Sequence, residues 1–345
     1  MDLNKLLKPK TIAIVGASEK AGFGGDTTRN YLKFSKNLDR LYLVNPGRDT
    51  IFGHRAYHSL SEIEGDVDLV ILCTPQKTII PLLEEAAGKN CGGAVVFASG
   101  YSEVGQEGKI LQQELVQAAD RLGIAVMGPN CAGFANFVDG IFAFAFLVEE
   151  RERRGNIGMV SQSGQIVLGG LDSPGMGFSH VISSGNSCNV KVEDYLDFLV
   201  DDEDTKVVAA YMEGVTRPEK LVDTLQKAAL KKKTVVVLKT GRSSKSQTGS
   251  LSGADKVLRA VFKRYGVVEA GDLEELMGLA AAFSWLEDLP KGERCVFMNV
   301  SGGEAGVMAD LAEEYGIPLA EMNQETKAYL QTLVRIMVLS TTLLT

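Results

Sequence analysis

Short apolar or β-branched runs alternate with longer amphipathic stretches along this 345-residue chain, and this alternation restricts the fold most strongly. Such a pattern is typical of parallel sheets covered by helices. In the first third, strands are predicted over residues 11–15, 41–44, 69–73, 94–98 and 124–127, and helices over 26–34, 78–88 and 109–122. The sequence therefore predicts an α/β fold whose first domain, residues 1–148, is doubly wound and of nucleotide-binding type.

A run of six charged residues, 149–154, interrupts the pattern and is interpreted as a solvated linker. The pattern then restarts, with strands predicted over 157–160, 180–183, 207–211 and 234–238 and helices between them. This predicts a second α/β domain over 155–286. A further strand over 294–300, followed by a glycine turn and a helix to about Tyr315, predicts the start of a third domain over 290–345.

Charge and cysteine usage exclude several classes of protein. The net charge of -8 argues against a protein that coats nucleic acid or an anionic membrane. No apolar run approaches the ~18 residues of a membrane-spanning helix, and no secretory stretch is recognised. The five cysteines form no CxxC pair, so we expect reduced thiols, a cytoplasmic location and no metal site.

Three predicted strands end in glycine or serine turns that lead into helices, at 16–18, 161–164 and 301–303. Backbone N–H groups and the helix dipole favour an anion at such a turn. The first turn does not fit the G-x-G-x-x-G fingerprint, and Asn45-Pro46 stands where an acidic ribose ligand is expected. A nicotinamide-dependent oxidoreductase is therefore disfavoured. The loop from Ser18 to Gly25 leaves room for a bulkier phosphate group instead, with Lys20, Arg29 and Arg48 as candidate countercharges.

Further motifs follow in a fixed order along the chain. They are IVGAS at 14–18, VNP at 44–46, CTP at 73–75, ASGYSEVG at 98–105, GPNC at 128–131, VSQSG at 160–164, SGN at 184–186, YMEG at 211–214, LKTGR at 238–242 and TGSLSG at 248–253. In this order, over about residues 5 to 330, the chain resembles the NDP-forming acyl-CoA synthetases, relatives of the succinyl-CoA synthetase α subunit.

The resemblance implies a Rossmann-like CoA-binding domain followed by flavodoxin-like domains of the succinyl-CoA synthetase type. CoA or acyl-CoA would lie across the strand ends of the first domain, where a doubly wound sheet binds its ligands. By resemblance, its contacts would be Gly16, Ala17 and Ser18 at the phosphates, Asn45 and Pro46 at the nucleotide, Thr74 and Pro75 in the next loop, Ser99 and Gly100 at the pantetheine arm, and Asn130 and Cys131 at the thiol end. Cys131 is not expected to be a nucleophile, because a buried thiol without a nearby histidine is usually inert.

The family transfers a phosphoryl group through a histidine that precedes Thr-Gly-Ser, but this chain has Gln247 at that position. A carboxamide is a poor nucleophile, so the relay is expected to be lost. By resemblance, Glu213 would orient the histidine, and Ser163 and Gly164 would open the helix that faces the phosphate. The three histidines present, His54, His58 and His180, are predicted to be structural or solvated.

The resemblance also implies the partners: CoA, a small carboxylic acid, an oligomer, and NTP or NDP with Mg supplied only through a β-type ATP-grasp subunit. Which acid is activated stays open. The alternative hypothesis is a non-catalytic protein that binds CoA or acyl-CoA and regulates a partner. Residues 335–345 depart from the family pattern, which suggests a frameshifted or truncated gene, with a natural short tail as the alternative.

Overall fold

The computed structural model describes residues 2–35, 40–148, 154–173, 175–240, 252–287, 291–299 and 301–333. The chain divides into two compact units, Met1–Trp285 and Leu286–Thr345. Gln247, most of the charged linker and the tail from residue 334 lie outside the described residues. None of the helices in the described ranges is both long and apolar enough to cross a membrane.

The first sheet of the described chain has seven strands. They are β1 (Ile12–Val15), β2 (Leu41–Val44), β3 (Thr50–Ile51), β4 (His54–Tyr57), β5 (Leu69–Leu72), β6 (Gly93–Val96) and β7 (Ala125–Met127), in the order β3-β4-β2-β1-β5-β6-β7. The helices around it are α1 (Asn4–Leu7), α2 (Phe23–Phe34), α3 (Ile79–Ala87) and α4 (Gln106–Leu122). The pairs are parallel except that of β3 with β4. The strand order reverses at β1, which is where a doubly wound sheet binds its ligands.

The central strands of this sheet are apolar on both faces because helices cover both. Every residue of β1 is buried, with Ile12 and Ile14 in one hydrophobic cluster and Ala13 and Val15 in another. The first cluster continues into the second sheet through residues such as Val160 and Ile182. The two sheets of the first unit therefore share a core.

The second sheet also has seven described strands. They are β8 (Gly133–Asn136), β9 (Ile141–Phe144), β10 (Arg154–Ser161), β11 (Phe178–Ser183), β12 (Val207–Met212), β13 (Thr234–Lys239) and β14 (Val268–Glu269), in the order β14-β13-β12-β10-β11-β8-β9. The helices are α5 (Gly164–Asp172), α6 (Val192–Asp201), α7 (Pro218–Leu230), α8 (Ser252–Tyr265) and α9 (Leu273–Trp285). Strands β10 to β14 pair in parallel, whereas β8 runs antiparallel to both β11 and β9. The predicted α/β class is confirmed for both sheets.

Strands β8 and β9 belong to the second sheet, although the sequence pattern assigned everything up to residue 148 to the first domain. The chain thus passes from one sheet to the other between β7 and β8, before the charged run. Both strands are buried along their whole length. A strand that is apolar on both faces carries no periodicity that shows which sheet it joins.

In the second unit the described helices are α10 (Gly302–Glu314) and α11 (Gln324–Leu333). The helix predicted to end near Tyr315 is therefore present. The strand predicted over 294–300 is not formed in the described residues 291–299, where Cys295 makes an isolated bridge with Leu319. A strand needs neighbours to be stable, and a single bridge provides little pairing.

Candidate functional site

The loops that follow β1, β2, β5, β6 and β7 all emerge at one edge of the first sheet, because these strands are parallel. The residues predicted to bind CoA lie on these loops: Gly16, Ala17 and Ser18, then Asn45 and Pro46, Thr74 and Pro75, Ser99 and Gly100, and Asn130 and Cys131. The fold therefore brings together five segments that are far apart in the sequence.

The turn after β1 uses part of its hydrogen-bonding capacity inside the fold. The N–H groups of Gly16 and Ala17 both donate to the carbonyl of Val44, at 2.9 and 3.3 Å. The side-chain amide of Asn45 donates to the carbonyl of Ala17 at 2.8 Å. These two N–H groups are therefore engaged by the neighbouring strand, and a ligand would meet the turn from Ser18 onward.

Gly16 is required for packing as well as for its backbone conformation. Its φ is +85°, and a Cβ there would lie 2.9 Å from the carbonyl oxygen of Cys73. Nearby, Arg29 pairs with Asp26 at 3.0 Å and donates to the carbonyl of Glu19. This candidate countercharge therefore holds the loop in place.

A cavity of about 610 Å³ lies where the loops of the first sheet meet the strand ends of the second. Six of the predicted site residues line it: Ser99, Asn130 and Cys131 from the first sheet's loops, and Ser163, Gly164 and Glu213 from the second sheet's. Gly16, Asn45, Thr74 and their neighbours lie on the same sheet edge but do not line this cavity. The predicted residues thus fall into a strand-end group and a cavity group.

Helix α5 begins at Gly164, beside the cavity. No side chain caps its N-terminus, and Ser163 N donates to Ser161 Oγ at 3.0 Å. The first N–H groups of a helix have no acceptor within the helix, and the dipole adds partial positive charge there. This end of the cavity can therefore hold an anion such as phosphate.

Glu213 is fixed at the end of β12 by contacts to its backbone. Its N–H donates to Gln162 Oε1 at 2.6 Å, and its carbonyl accepts from Lys239 Nζ at 2.9 Å. The hydroxyl of Tyr211 bonds Thr240 Oγ1 at 3.1 Å and Glu213 Oε1 at 3.4 Å. Thr240 is the last described residue before the segment that contains Gln247, and it is linked to Glu213 through the hydroxyl of Tyr211.

Asn186 links the two sheets across the cavity, a role that the sequence reasoning missed. Its side-chain amide donates to the Glu103 carboxylate and to Gln112 Oε1, and its Oδ1 accepts from Asn130. Glu103 Oε1 also accepts from the N–H groups of Gly100 and Tyr101. The signal was visible, because Asn186 stands in the SGN motif, but nothing in the sequence showed what it would contact.

Burial and hydrogen bonding act in opposite directions on the ionisable groups here. Burial opposes ionisation of Glu103, but the hydrogen bonds from Asn186 and the backbone outweigh it and lower the pKa of that carboxyl. Burial raises the pKa of Cys131 to about 12, so its thiol is protonated at neutral pH. This agrees with the expectation that Cys131 is not a nucleophile. Among the described residues, no group of three or more His, Cys, Asp or Glu is placed to hold a metal ion.

Comparison with known proteins gives two family matches. Residues 10–136 match a CoA-binding domain, and residues 154–283 match the flavodoxin-like domain of succinyl-CoA ligase. The first match covers strands β1 to β8, and the second covers strands β10 to β14.

Full-length relatives and a solved structure extend the comparison. The ADP-forming acetate–CoA ligase I of Archaeoglobus fulgidus is 37% identical over 335 residues, which are 94% of this chain and 47% of that protein. The α subunit of ADP-forming acetate–CoA ligase II of Pyrococcus furiosus is 33% identical over 334 residues, which are 94% of this chain and 71% of the subunit. The structure of the dinucleotide-forming acetyl-coenzyme A synthetase 1 of Ca. Korarchaeum cryptofilum with phosphate and ADP superposes with a TM-score of 0.83 at 29% identity, covering 96% of this chain and 73% of that one. The chain therefore spans about half of the longer relative and most of the α subunit.

Proposed function

Since the chain belongs to the NDP-forming acyl-CoA synthetases and matches their α-type subunits, we propose that it binds CoA or acyl-CoA as the α-type part of such an enzyme. The nucleotide and pantetheine would follow the strand-end loops from Asn45 to Ser99, and the thiol would enter the cavity beside Asn130 and Cys131. A small carboxylic acid would be the second substrate.

One observation carries this proposal. The same cavity is lined by Asn130 and Cys131, the proposed thiol end of the CoA site, and by the uncapped N-terminus of helix α5. Forming a thioester from an acyl phosphate requires the thiol near the carbonyl carbon while the departing phosphate is held by preorganised donors. Asn130, Ser163 and Gly164 all line this cavity. The arrangement fits that requirement.

Phosphoryl transfer to a nucleotide is a separate step, and we infer that this chain has lost it. An imidazole can accept a phosphoryl group and release it, whereas the carboxamide of Gln247 cannot. Glu213, held in place by Gln162 and Lys239, would remain as the residue that orients a histidine. NTP or NDP with Mg would be bound by a β-type ATP-grasp partner in an oligomer. Gln247 also favours the second candidate, a non-catalytic CoA or acyl-CoA binding protein that regulates a partner.

Calorimetry and labelling test the two parts of the proposal. The intact protein should bind CoA and not NADH, and tighter binding of NADH would exclude the assignment. Incubated with γ-labelled NTP and a β-type subunit, the wild type should stay unlabelled, whereas Gln247→His should form an acid-labile phosphoprotein.

The matched control is the double variant Gln247→His with Glu213→Gln, which should be labelled more slowly if Glu213 orients the new imidazole. Stoichiometric labelling of the wild type would show that another residue accepts the phosphoryl group. Synthetase turnover by the wild type with a β-type subunit would contradict the loss of the relay, and binding of CoA without any turnover would favour the regulatory alternative.

A further inference from the structure

One wall of the cavity is formed by three phenylalanine rings. Phe23 is the first residue of α2, Phe97 follows β6 and Phe146 follows β9. The ring centroids of Phe23 and Phe97 are 5.7 Å apart, and those of Phe23 and Phe146 are 6.3 Å apart in an edge-on arrangement. These spacings are those of interacting aromatic pairs. The three rings therefore form one continuous surface, which we name the aromatic wall.

Buried hydrogen bonds hold two parts of this wall together. Thr27 Oγ1 donates to the carbonyl of Phe144 at 2.9 Å. The amide of Asn30 donates to the carbonyl of Phe146 at 2.7 Å, and Asn30 Oδ1 accepts from Val148 N at 3.1 Å. Thr27 and Asn30 are buried, so helix α2, which carries Phe23, is fixed to the backbone that carries Phe146. The position of the aromatic wall is therefore set by hydrogen bonds within the fold.

The wall is incompletely covered by protein. Phe97 is 2% exposed, but Phe23 is 43% and Phe146 is 44% exposed, although all three line the cavity. Large apolar faces left open to a cavity favour an apolar ligand, because contact with it removes both surfaces from water. Leu168 and Ala132 line the cavity as well, so the cavity also has aliphatic surface.

The position of the wall indicates which part of a ligand would touch it. Cys131 and Asn130, at the proposed thiol end, line the same cavity as the wall, and so does the N-terminus of α5. On the proposed function, on which this inference rests, the acyl group attached to the thiol lies between these features. An acetyl methyl group is small and would cover little of the three rings, whereas an aryl ring could pack against Phe23 and Phe146 together.

We propose that the acyl group handled by this chain comes from an aromatic or arylalkyl monocarboxylic acid, with the aromatic wall as its binding surface. Calorimetric titration of the intact protein with CoA, acetyl-CoA and phenylacetyl-CoA tests this. Phenylacetyl-CoA should bind at least about tenfold more tightly than acetyl-CoA, a difference of about 1.4 kcal/mol. Phe146→Ala should remove most of this preference and leave the affinity for CoA within about twofold, because only the acyl group would touch the ring.

Two further variants keep the test sharp. Phe146→Leu, which retains apolar bulk without a ring, should also lose most of the preference. Leu147→Ala is the matched control, because Leu147 is 60% exposed, adjacent in sequence and not among the residues lining the cavity, and it should keep the preference intact.

Each contrary result has a separate meaning. Equal affinities of the wild type for acetyl-CoA and phenylacetyl-CoA, with normal CoA binding, would overturn the aromatic assignment and leave the proposed function standing. An equal loss of affinity for all three ligands in Phe146→Ala would assign the wall to the pantetheine arm and also overturn it. Failure of the folded wild type to bind CoA would overturn the proposed function, and this inference with it.

Discussion

At the scale of single residues, Gly185 controls how closely the loop after β11 approaches the loop after β7. Its φ is +55°, and a Cβ there would lie 2.5 Å from the carbonyl oxygen of Pro129 and 2.7 Å from that of Asn130. Backbone atoms cannot yield as a flexible side chain does. Gly185 therefore permits the close contact that places Asn130 and Asn186 together.

We predict that Gly185→Ala lowers the free energy of unfolding by roughly 2 kcal/mol or more, from the strained φ and the backbone clash together. Urea titration of wild type and variant measures the difference. Gly278→Ala is the control, because Gly278 lies in α9 with nothing near its missing Cβ. It should gain about 0.5–1 kcal/mol of stability instead. Wild-type stability in Gly185→Ala would show that the two loops can separate at little cost.

His180 is the buried residue whose protonation should alter stability. It is 0% exposed in β11, and neither ring nitrogen has a hydrogen-bond partner in the described chain. Burial lowers its pKa to about 4, although Asp202, whose Oδ2 lies 3.5 Å from Nδ1, favours the charged form. His180 is therefore part of the interior of the second sheet.

The folded state thus resists protonation of His180 over a range in which the unfolded chain accepts a proton. Above about pH 6.5 the neutral imidazole costs the folded protein no stability. As the pH decreases from there toward 4, the free energy of unfolding falls, and the loss reaches roughly 3 kcal/mol. Urea unfolding of wild type and His180→Leu across this interval measures it. The variant should lose less stability on acidification than the wild type does. Parallel pH profiles for wild type and His180→Leu would contradict the prediction.

At the scale of elements, the loop over 99–103 depends on Glu103 for its shape. The carboxylate receives hydrogen bonds from Gly100 and Tyr101 in its own loop and from Asn186 of the other sheet. The loop that would hold the pantetheine arm is therefore tied to the second sheet.

Glu103→Ala should weaken CoA binding about tenfold, because the loop loses three charge-assisted hydrogen bonds and must be ordered by the ligand. Glu107→Ala, at an exposed position in the first turn of α4, should leave the affinity within about twofold. Calorimetry with CoA measures both. Unchanged affinity in Glu103→Ala would indicate that the loop keeps its shape without the carboxylate.

Short apolar runs in the sequence predicted β1, β2, β5, β6 and β7 of the first sheet, but not β3 and β4, which are only two and four residues long. Contacts between segments that are far apart in the sequence could not be predicted from it. Gly16 illustrates the difference: the sequence suggested close approach of a ligand, whereas the structure gives a packing reason that involves Cys73, far along the chain. The sequence analysis did not single out Phe97 or Phe146, because only the tertiary fold places them beside Phe23.

At the scale of the whole molecule, the first residues of the chain are fastened to the second sheet. Lys8 Nζ lies 2.7 Å from Asp202 Oδ1, and Asn136 donates to the carbonyl of Leu7 at 3.0 Å. The Asp202 side chain is 0% exposed and also accepts from Thr205 Oγ1 at 2.7 Å. Burial opposes its ionisation, but these hydrogen bonds outweigh burial and lower its pKa.

Removing the cation should leave a buried carboxylate short of one partner. We predict that Lys8→Met lowers the free energy of unfolding by about 2 kcal/mol, a value reduced from that of a fully buried pair because Lys8 is partly exposed. Lys10→Met, at an exposed position nearby, should change it by less than about 0.5 kcal/mol. Chemical denaturation of both variants measures these changes. Equal stabilities of Lys8→Met and the wild type would show that Thr205 alone satisfies Asp202.

The passage of the chain between sheets also has a consequence for biosynthesis. Residues 133–136 pair with residues 180–183, which leave the ribosome later. At a synthesis rate of about 5–20 residues per second, several seconds pass between the synthesis of β8 and β9 and that of their partner strand β11. During that interval the apolar side chains of Ile141, Phe142 and Phe144 have no second sheet to cover them. Nascent chains are thus exposed to mispairing and to capture by chaperones at this stage of translation.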